Sequence, residues 1–317
     1  LLNTVAEILI NEPKEYKDLL TINLKTGISF PKARAKALDE YFKKYNLDYS
    51  LDINSKKYAK YPSDITSNSN LDINTFINQP NNILGIEYIK ALMRFNSKIN
   101  PVPLKRLGAS YHSLDTRTKL ASATGIRTAM ANKDNISGLL PDNCLNIIKN
   151  HTTIEYNDFS TVLGSKLLSM DTLDHIEGIN QDLSNRIANN KYNFTDIETF
   201  IPMLQSKNYT YSAISRALLH IILDIKTDGL KEFISNNYVN YAMILGFNKN
   251  TGVLSEISKS TKIPLVSKFA TFYKEADNNQ RKMLDINLKA DNLYRMIYMN
   301  KTSETLPTEF QRQIIIK

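Results

Sequence analysis

The run Ser122-Ala123-Thr124-Gly125-Ile126-Arg127 (SATGIR) decides how this 317-residue chain is read. It opens a short amphipathic stretch with the composition of a helix start that grips phosphate. The first backbone N–H groups of a helix have no partner within it, and the dipole there is positive, so hydroxyl side chains complete an anion site. An arginine one turn further in adds a planar, fork-shaped charge, a combination that suits a nucleoside triphosphate. The same Ser and Thr could equally be plain helix caps. The company the run keeps separates the two readings.

Upstream lie Pro80 to Leu92 (PNNILGIEYIKAL) and Pro101 to Ser113 (PVPLKRLGASYHS), followed by a polar loop and SATGIR. This ordered set resembles the tRNA(Met) cytidine acetate ligase family, a branch of the HIGH-type nucleotidyltransferase superfamily. The resemblance implies a two-step reaction. ATP and acetate give acetyl-adenylate and pyrophosphate, and the acetyl group passes to the exocyclic amine of the wobble cytidine of elongator tRNA(Met). Carried over by motif, Asn81, Arg106 and Leu107 contact ATP, while Ser122, Thr124, Ile126 and Arg127 hold its phosphates. Magnesium is expected as counter-ion of the triphosphate, although the chain offers no evident ligand for it, and the compartment is expected to be the cytoplasm. The family also begins with a strand and a His-x-Gly-His signature, and carries a Gly-Ser-Glu motif later. Neither occurs here: His112, His151, His175 and His220 are scattered, and the chain opens on Leu1. It is therefore expected to be the C-terminal part of a longer protein, with the catalytic residues outside it.

Composition fits a globular protein with two cores, since 42% of residues are hydrophobic and 23% charged, with mean hydropathy −0.33. The single cysteine, Cys144, excludes an internal disulfide and a cysteine-based zinc cluster, and is expected to behave as a small buried hydrophobe. No apolar run approaches the roughly 20 residues that span a bilayer. A net charge of +8 suits a polyanionic partner, though solubility alone would also account for it.

Helical periodicity runs over 1–11, 14–25 and 29–42, with Pro13 at a start and Gly27 at a stop. Residues 46–70 are polar and aperiodic, as in a loop. A helix follows over 82–95, with Asn81 or Asn82 able to cap it. The alternation of Val102, Leu104 and Leu107 predicts a strand carrying Arg106 at its end. Beyond Pro141 the pattern becomes amphipathic helices over 142–149, 158–169, 173–189, 195–205 and 211–225, then a small α/β element near 239–269 and a last helix over 290–298. Residues 314–316 read as an edge strand or a free tail. The fold class is thus α/β, a partial Rossmann-like nucleotidyltransferase domain over 1–140, followed by a mainly α-helical tRNA-binding domain over 141–317. In such a sheet, ligands bind beyond the carboxyl ends of the strands, where Arg106 and the SATGIR start would lie.

Within the helical part, Lys207, Tyr209, Tyr211 and Arg216 mix basic and aromatic side chains before an apolar-faced helix. Tyrosine stacks on unpaired bases and arginine forks onto phosphate. Tyr209 and Tyr211 could instead pack beneath the helix, with Thr210 as its cap. Asp171, Asp174, His175 and Glu177 mimic a metal site, but acidic residues at a helix start are what the dipole favours. His112 either lines the nucleotide pocket or is solvated. Two other functions compete: a nucleotidyltransferase making a small cofactor, against which the long basic helical domain counts, and a non-catalytic RNA-binding module.

Because oriented imidazoles of the His-x-Gly-His kind are missing, this chain alone is expected to form no acetyl-adenylate. Losing even one such donor costs about 100- to 1000-fold. Acetate-dependent ATP–pyrophosphate exchange measures it; robust exchange would place the chemistry in residues assigned here only to binding.

Overall fold

The computed structural model describes residues 1–47, 73–104, 121–206, 208–236 and 238–317. Its contacts divide the chain into two compact units, Leu1–Asp142 and Asn143–Lys317. In the first, α1 (Leu2–Asn11), α2 (Lys14–Lys25), α3 (Phe30–Lys44), α4 (Ile73–Asn78) and α5 (Pro80–Arg94) pack α2 on α3, α3 on α4 and α1 on α5. The core follows from the spacing of small and apolar residues. Ala33, Ala35 and Ala37 keep α3 slim, and Leu38 and Phe42 fill the seam with Tyr16, Ile77, Ile86 and Ile89. Burial pushes the Tyr16 hydroxyl up to about 12 against the opposing pull of Arg34. One polar group lies in the α2–α3 seam: buried Asn23 donates to Glu40 at 2.9 Å and to the Leu19 carbonyl at 2.9 Å. Pro13 lies just ahead of α2, as expected, and Pro80 stands in the first turn of α5; each gives up an N–H that a helix start leaves unpaired.

The α/β expectation for this unit is not what the described residues display. Each regular element there, α6 (Ala123–Ala131) included, is a helix, and Val102 to Leu104 run as exposed irregular chain. Alternation of apolar residues makes a strand only where a neighbour satisfies its backbone, and these three residues have no such neighbour among the described ones. The rest of that expected strand, with Arg106 and Leu107, lies outside the described residues, as does most of the 46–70 loop.

The second unit is built on α8 (Ser160–Ser169), α9 (Gln181–Asn190), α10 (Ile197–Leu204) and α11 (Tyr211–Leu223). The stripe Ile214, Ala217, Leu218, Ile221, Ile222 on α11 meets Leu163 and Leu167 of α8 and Phe200, Ile201 and Leu204 of α10, all buried. Helix starts are capped by Asn180, Asp196 and Thr210, each accepting from the backbone N–H three residues on. The helix expected over 173–189 starts later. Residues 173–180 form a turn, and α9 begins only at Gln181, because that segment spends its backbone elsewhere. Ile176 bridges Lys226, Glu177 N–H donates to Ile225 O, and Gly178 takes φ +81° to admit the bend.

Toward the C-terminus, α12 (Thr227–Ser235), β1 (Ala242–Met243), β2 (Gly246–Phe247), α13 (Val253–Ser260), β3 (Leu265–Val266), α14 (Phe269–Glu275), α15 (Asn278–Thr302) and β4 (Ile315–Ile316) follow. β1 and β3 pair in parallel, as do β2 and β4, so residues 314–316 contribute a strand. Gly246 is required there, since a Cβ would come within 2.8 Å of the Ile315 carbonyl oxygen. α15 far exceeds the expected 290–298. It is held by a capping box at Asp277 and Gln280 and by ion pairs outside the helix, Lys282 with Glu232 at 2.6 Å and Lys301 with Asp158 at 2.7 Å. Among the described residues no helix is long and apolar enough to cross a membrane.

Two outcomes are expected. Phe200→Ala empties the centre of the second core and costs about 3–5 kcal/mol in urea unfolding. Burial raises the Asp158 carboxyl, but the Glu155 N–H and the Lys301 ammonium outweigh it and leave the group below its ordinary value. Its contribution is therefore present at neutral pH and is lost as pH falls through the lowered folded value. Asp158→Asn should flatten the acid limb of stability against pH, and an unaltered limb would show the pair to be inert.

Candidate functional site

Neither Asn81 nor Asn82 caps α5 as expected, because the helix starts earlier, at Pro80: Gln79 holds the cap position without a side-chain bond, and the Asn82 amide donates to Phe76 O at 2.9 Å. Asn81 is exposed and makes no side-chain hydrogen bond among the described residues. Asn82 thus helps to fix the backbone, while the Asn81 amide faces solvent.

Ser122 caps α6, its Oγ accepting from Gly125 N–H at 2.9 Å, and both residues are buried. Its hydroxyl oxygen is therefore committed to holding the helix start. Thr124 is half-buried, and Arg127, one turn on, is exposed. A guanidinium in water at that place can meet a phosphate without first breaking a buried pair. Arg106, Leu107 and the Tyr111-His112-Ser113 stretch lie outside the described residues.

At the start of α11 the four sequence candidates separate. Tyr209 is half-buried against the core, and its hydroxyl donates to Asn180 Oδ1 at 2.6 Å, the same oxygen that caps α9. It is built into the unit. Tyr211 is 42% exposed and Arg216 is exposed too, whereas Lys207 is outside the described residues. Partial burial raises the Tyr211 hydroxyl, then the Glu198 carboxylate and Tyr156 add to it. Tyr156, itself 41% exposed, is a neighbour that the sequence did not single out. It sits 55 residues upstream, and only the packing of its short 3-10 turn (Tyr156–Phe159) on α10 brings it near.

Among the described residues no group of three or more His, Cys, Asp or Glu could hold a metal ion. Asp171, Asp174, His175 and Glu177 lie in the 173–180 turn and its approach, not on a helix start as expected. Cys144 is half-buried on α7 (Asp142–Asn150). The unit expected to bind tRNA through its charge is close to neutral: residues 143–317 hold 20 Lys and Arg against 18 Asp and Glu.

Comparison with known proteins gives a match to the HIGH nucleotidyl transferase family over residues 1–309. A tRNA(Met) cytidine acetate ligase of Thermoanaerobacter sp. (strain X514) is 31% identical over 309 residues, covering 95% of this chain and 69% of the relative. The enzyme of that name from Clostridium acetobutylicum is 32% identical over 319 residues, covering 98% and 72%. Among solved structures, apo Thermotoga maritima TmcAL superposes with a TM-score of 0.78 at 24% identity, covering 99% of this chain and 73% of that one. The same protein bound with alpha-thio ATP gives the same score.

The separation of the two tyrosines has a measurable consequence. Tyr209→Phe removes the bond to Asn180 and should lower the stability of the second unit by about 1 kcal/mol. Tyr211→Phe should stay within about 0.5 kcal/mol of the parent. Equal losses in chemical unfolding would contradict the assignment of Tyr209 to the fold.

Proposed function

The chain belongs to the HIGH nucleotidyl transferase family, in its tRNA(Met) cytidine acetate ligase branch, and on that premise we propose that it serves ATP-dependent acetylation of the wobble cytidine of elongator tRNA(Met). The observation that carries the reading is identity above 30% to ligases of that name along almost the whole chain, together with the ordered Pro-Asn-Asn, Lys-Arg-Leu and SATGIR motifs. In the first step a carboxylate oxygen of acetate bonds to the α-phosphorus of ATP as the bond to pyrophosphate breaks. In the second, the cytidine amine attacks the acetyl carbonyl, AMP leaves, and the amine loses a proton.

Such chemistry asks the protein mainly for positioning and for charge where the triphosphate sits. Asn81, Thr124 and Arg127 have the exposure and donor groups for that, Ser122 holds the α6 start in shape, and Arg106 and Leu107 are assigned by motif. The donor set suits phosphate and ribose oxygens. It does not suit a dedicated metal site, so magnesium enters only as the triphosphate counter-ion, with no protein ligand assigned and no step derived from it. We keep the partial Rossmann-like reading of residues 1–140 and the tRNA-binding reading of 141–317 within this proposal, supported by the family match and the shared fold. Tyr211 and Arg216 are the exposed candidates for an anticodon base and a phosphate, with Lys207 assigned from its place in the sequence and Tyr209 built into the core beside them. The cytoplasm, where tRNA is modified, completes the reading.

The test of the function is mass spectrometry of elongator tRNA(Met) from cells lacking the gene, in which acetylation of the wobble cytidine should vanish. In the complete enzyme, Arg106→Ala and Arg127→Ala should each weaken ATP binding or adenylate formation by about 1.5–3 kcal/mol while leaving the fold intact. Normal pyrophosphate exchange by both variants would refute the phosphate assignment.

A further inference from the structure

The positive charge of this protein is not where the tRNA-binding reading puts it. Residues 1–142 hold 20 Lys and Arg against 14 Asp and Glu, so six of the eight excess charges lie in the first unit. Within it, the chain between Asp18 and Asp39 carries Lys25, Lys32, Arg34 and Lys36 and no carboxylate. That stretch is the end of α2, the turn Thr26 to Ser29 and the first half of α3. Lys25 and Lys32 flank the turn, and Lys32 and Lys36 stand one helical turn apart on the solvent side of α3, all three exposed.

These cations are poorly neutralised within the fold. Lys25 and Lys32 have no carboxylate partner among the described residues, and Lys36 reaches Glu40 only at 4.0 Å. Glu40 already accepts from buried Asn23 at 2.9 Å, so its charge is turned partly into the α2–α3 seam. Asp39 is taken by Lys43 at 2.6 Å. Asn23 also fixes the hairpin end, since its carbonyl accepts from Thr26 N–H and Thr26 Oγ1, and a surface held in place loses less entropy on binding. The start of α11 is the opposite case, because the carboxylate of Glu198 on α10 acts on Tyr211 there and repels phosphate.

We propose that the α2–α3 hairpin end, through Lys25, Lys32 and Lys36, is the main anchor for the RNA phosphate backbone, leaving the α11 start to contact bases. The inference rests on the reading that the protein binds tRNA, and it moves the salt-dependent part of that binding to the first unit. Lysines presented from a rigid helical hairpin displace condensed counterions, and each phosphate contact adds about 0.7–0.9 to the slope of log affinity against log salt.

The experiment measures elongator tRNA(Met) binding to the 317-residue chain between 50 and 300 mM potassium chloride, salt conditions chosen to span roughly the physiological range. Three proteins are compared: the parent, the Lys25→Gln, Lys32→Gln, Lys36→Gln variant, and a control with Lys259→Gln, Lys262→Gln and Lys268→Gln in the second unit. The first variant should lose about 2 in slope and on the order of 100-fold in affinity at 0.1 M salt, and the control should lose little of either. A parent that binds tRNA with an undiminished slope in the first variant overturns this inference and leaves the tRNA reading standing. Equal losses in the control would show that net charge, not position, governs binding, and would also overturn it. A parent that binds no tRNA ends both. Lysine-dependent binding to phosphatidylserine vesicles but not to the RNA would assign the surface to a membrane and overturn the proposal.

Discussion

Burial of an apolar stripe against a neighbour is the constraint on which the rest of this structure depends. Most of its helices are short, from the 8 residues of α10 to the 13 of α11, and helices of that length are marginal in water by themselves. What keeps α11 helical is Ile214, Leu218 and Ile221 facing Leu163, Phe200 and Ile201, and those partners are in turn held by α11. The second unit has one core because of this mutual support, and its polar devices only set where each helix begins. The first unit repeats the arrangement with smaller side chains, the alanines of α3 allowing α2 close enough for a buried Asn23 to find Glu40.

Around that frame the exposed chemistry is sorted by what the packing leaves over. Of candidates close in sequence, one is spent on structure and the other is exposed: Asn82 against Asn81, Ser122 against Arg127, Tyr209 against Tyr211. The buried or bonded member makes the local geometry rigid, and the exposed member inherits a fixed position. A binding group held in this way loses little freedom when it meets its ligand. The same sorting leaves Lys25 and Lys32 without a carboxylate partner among the described residues and brings the Glu198 carboxylate to act on Tyr211. The proposed division of labour between backbone anchoring and base contact rests on it.

Much of the helical pattern was legible along the chain. α1, α2, α8, α10 and α11 fall close to their expected spans, because capping residues, prolines and apolar spacing all act over three or four residues. The errors share a cause. Residues 173–180 looked helical, but their backbone pairs with Ile225 and Lys226, some fifty positions away. Residues 102–104 alternate as a strand does, yet among the described residues nothing pairs with them. The parallel partners β2 and β4 stand almost 70 residues apart, a separation over which no local pattern acts.

The sequence by itself determined many of the helices, the starts of several of them, and the family, since ordered motifs such as PNN and SATGIR survive as strings regardless of how the chain is arranged in space. Tertiary structure decided which member of each candidate pair is available. Exposure, the capture of the Tyr209 hydroxyl by Asn180, the commitment of Ser122 to its own helix and the approach of Tyr156 and Glu198 to Tyr211 all depend on contacts between distant segments. Residue type and spacing record what a side chain can do; the partners that consume or free it are chosen only when the cores close.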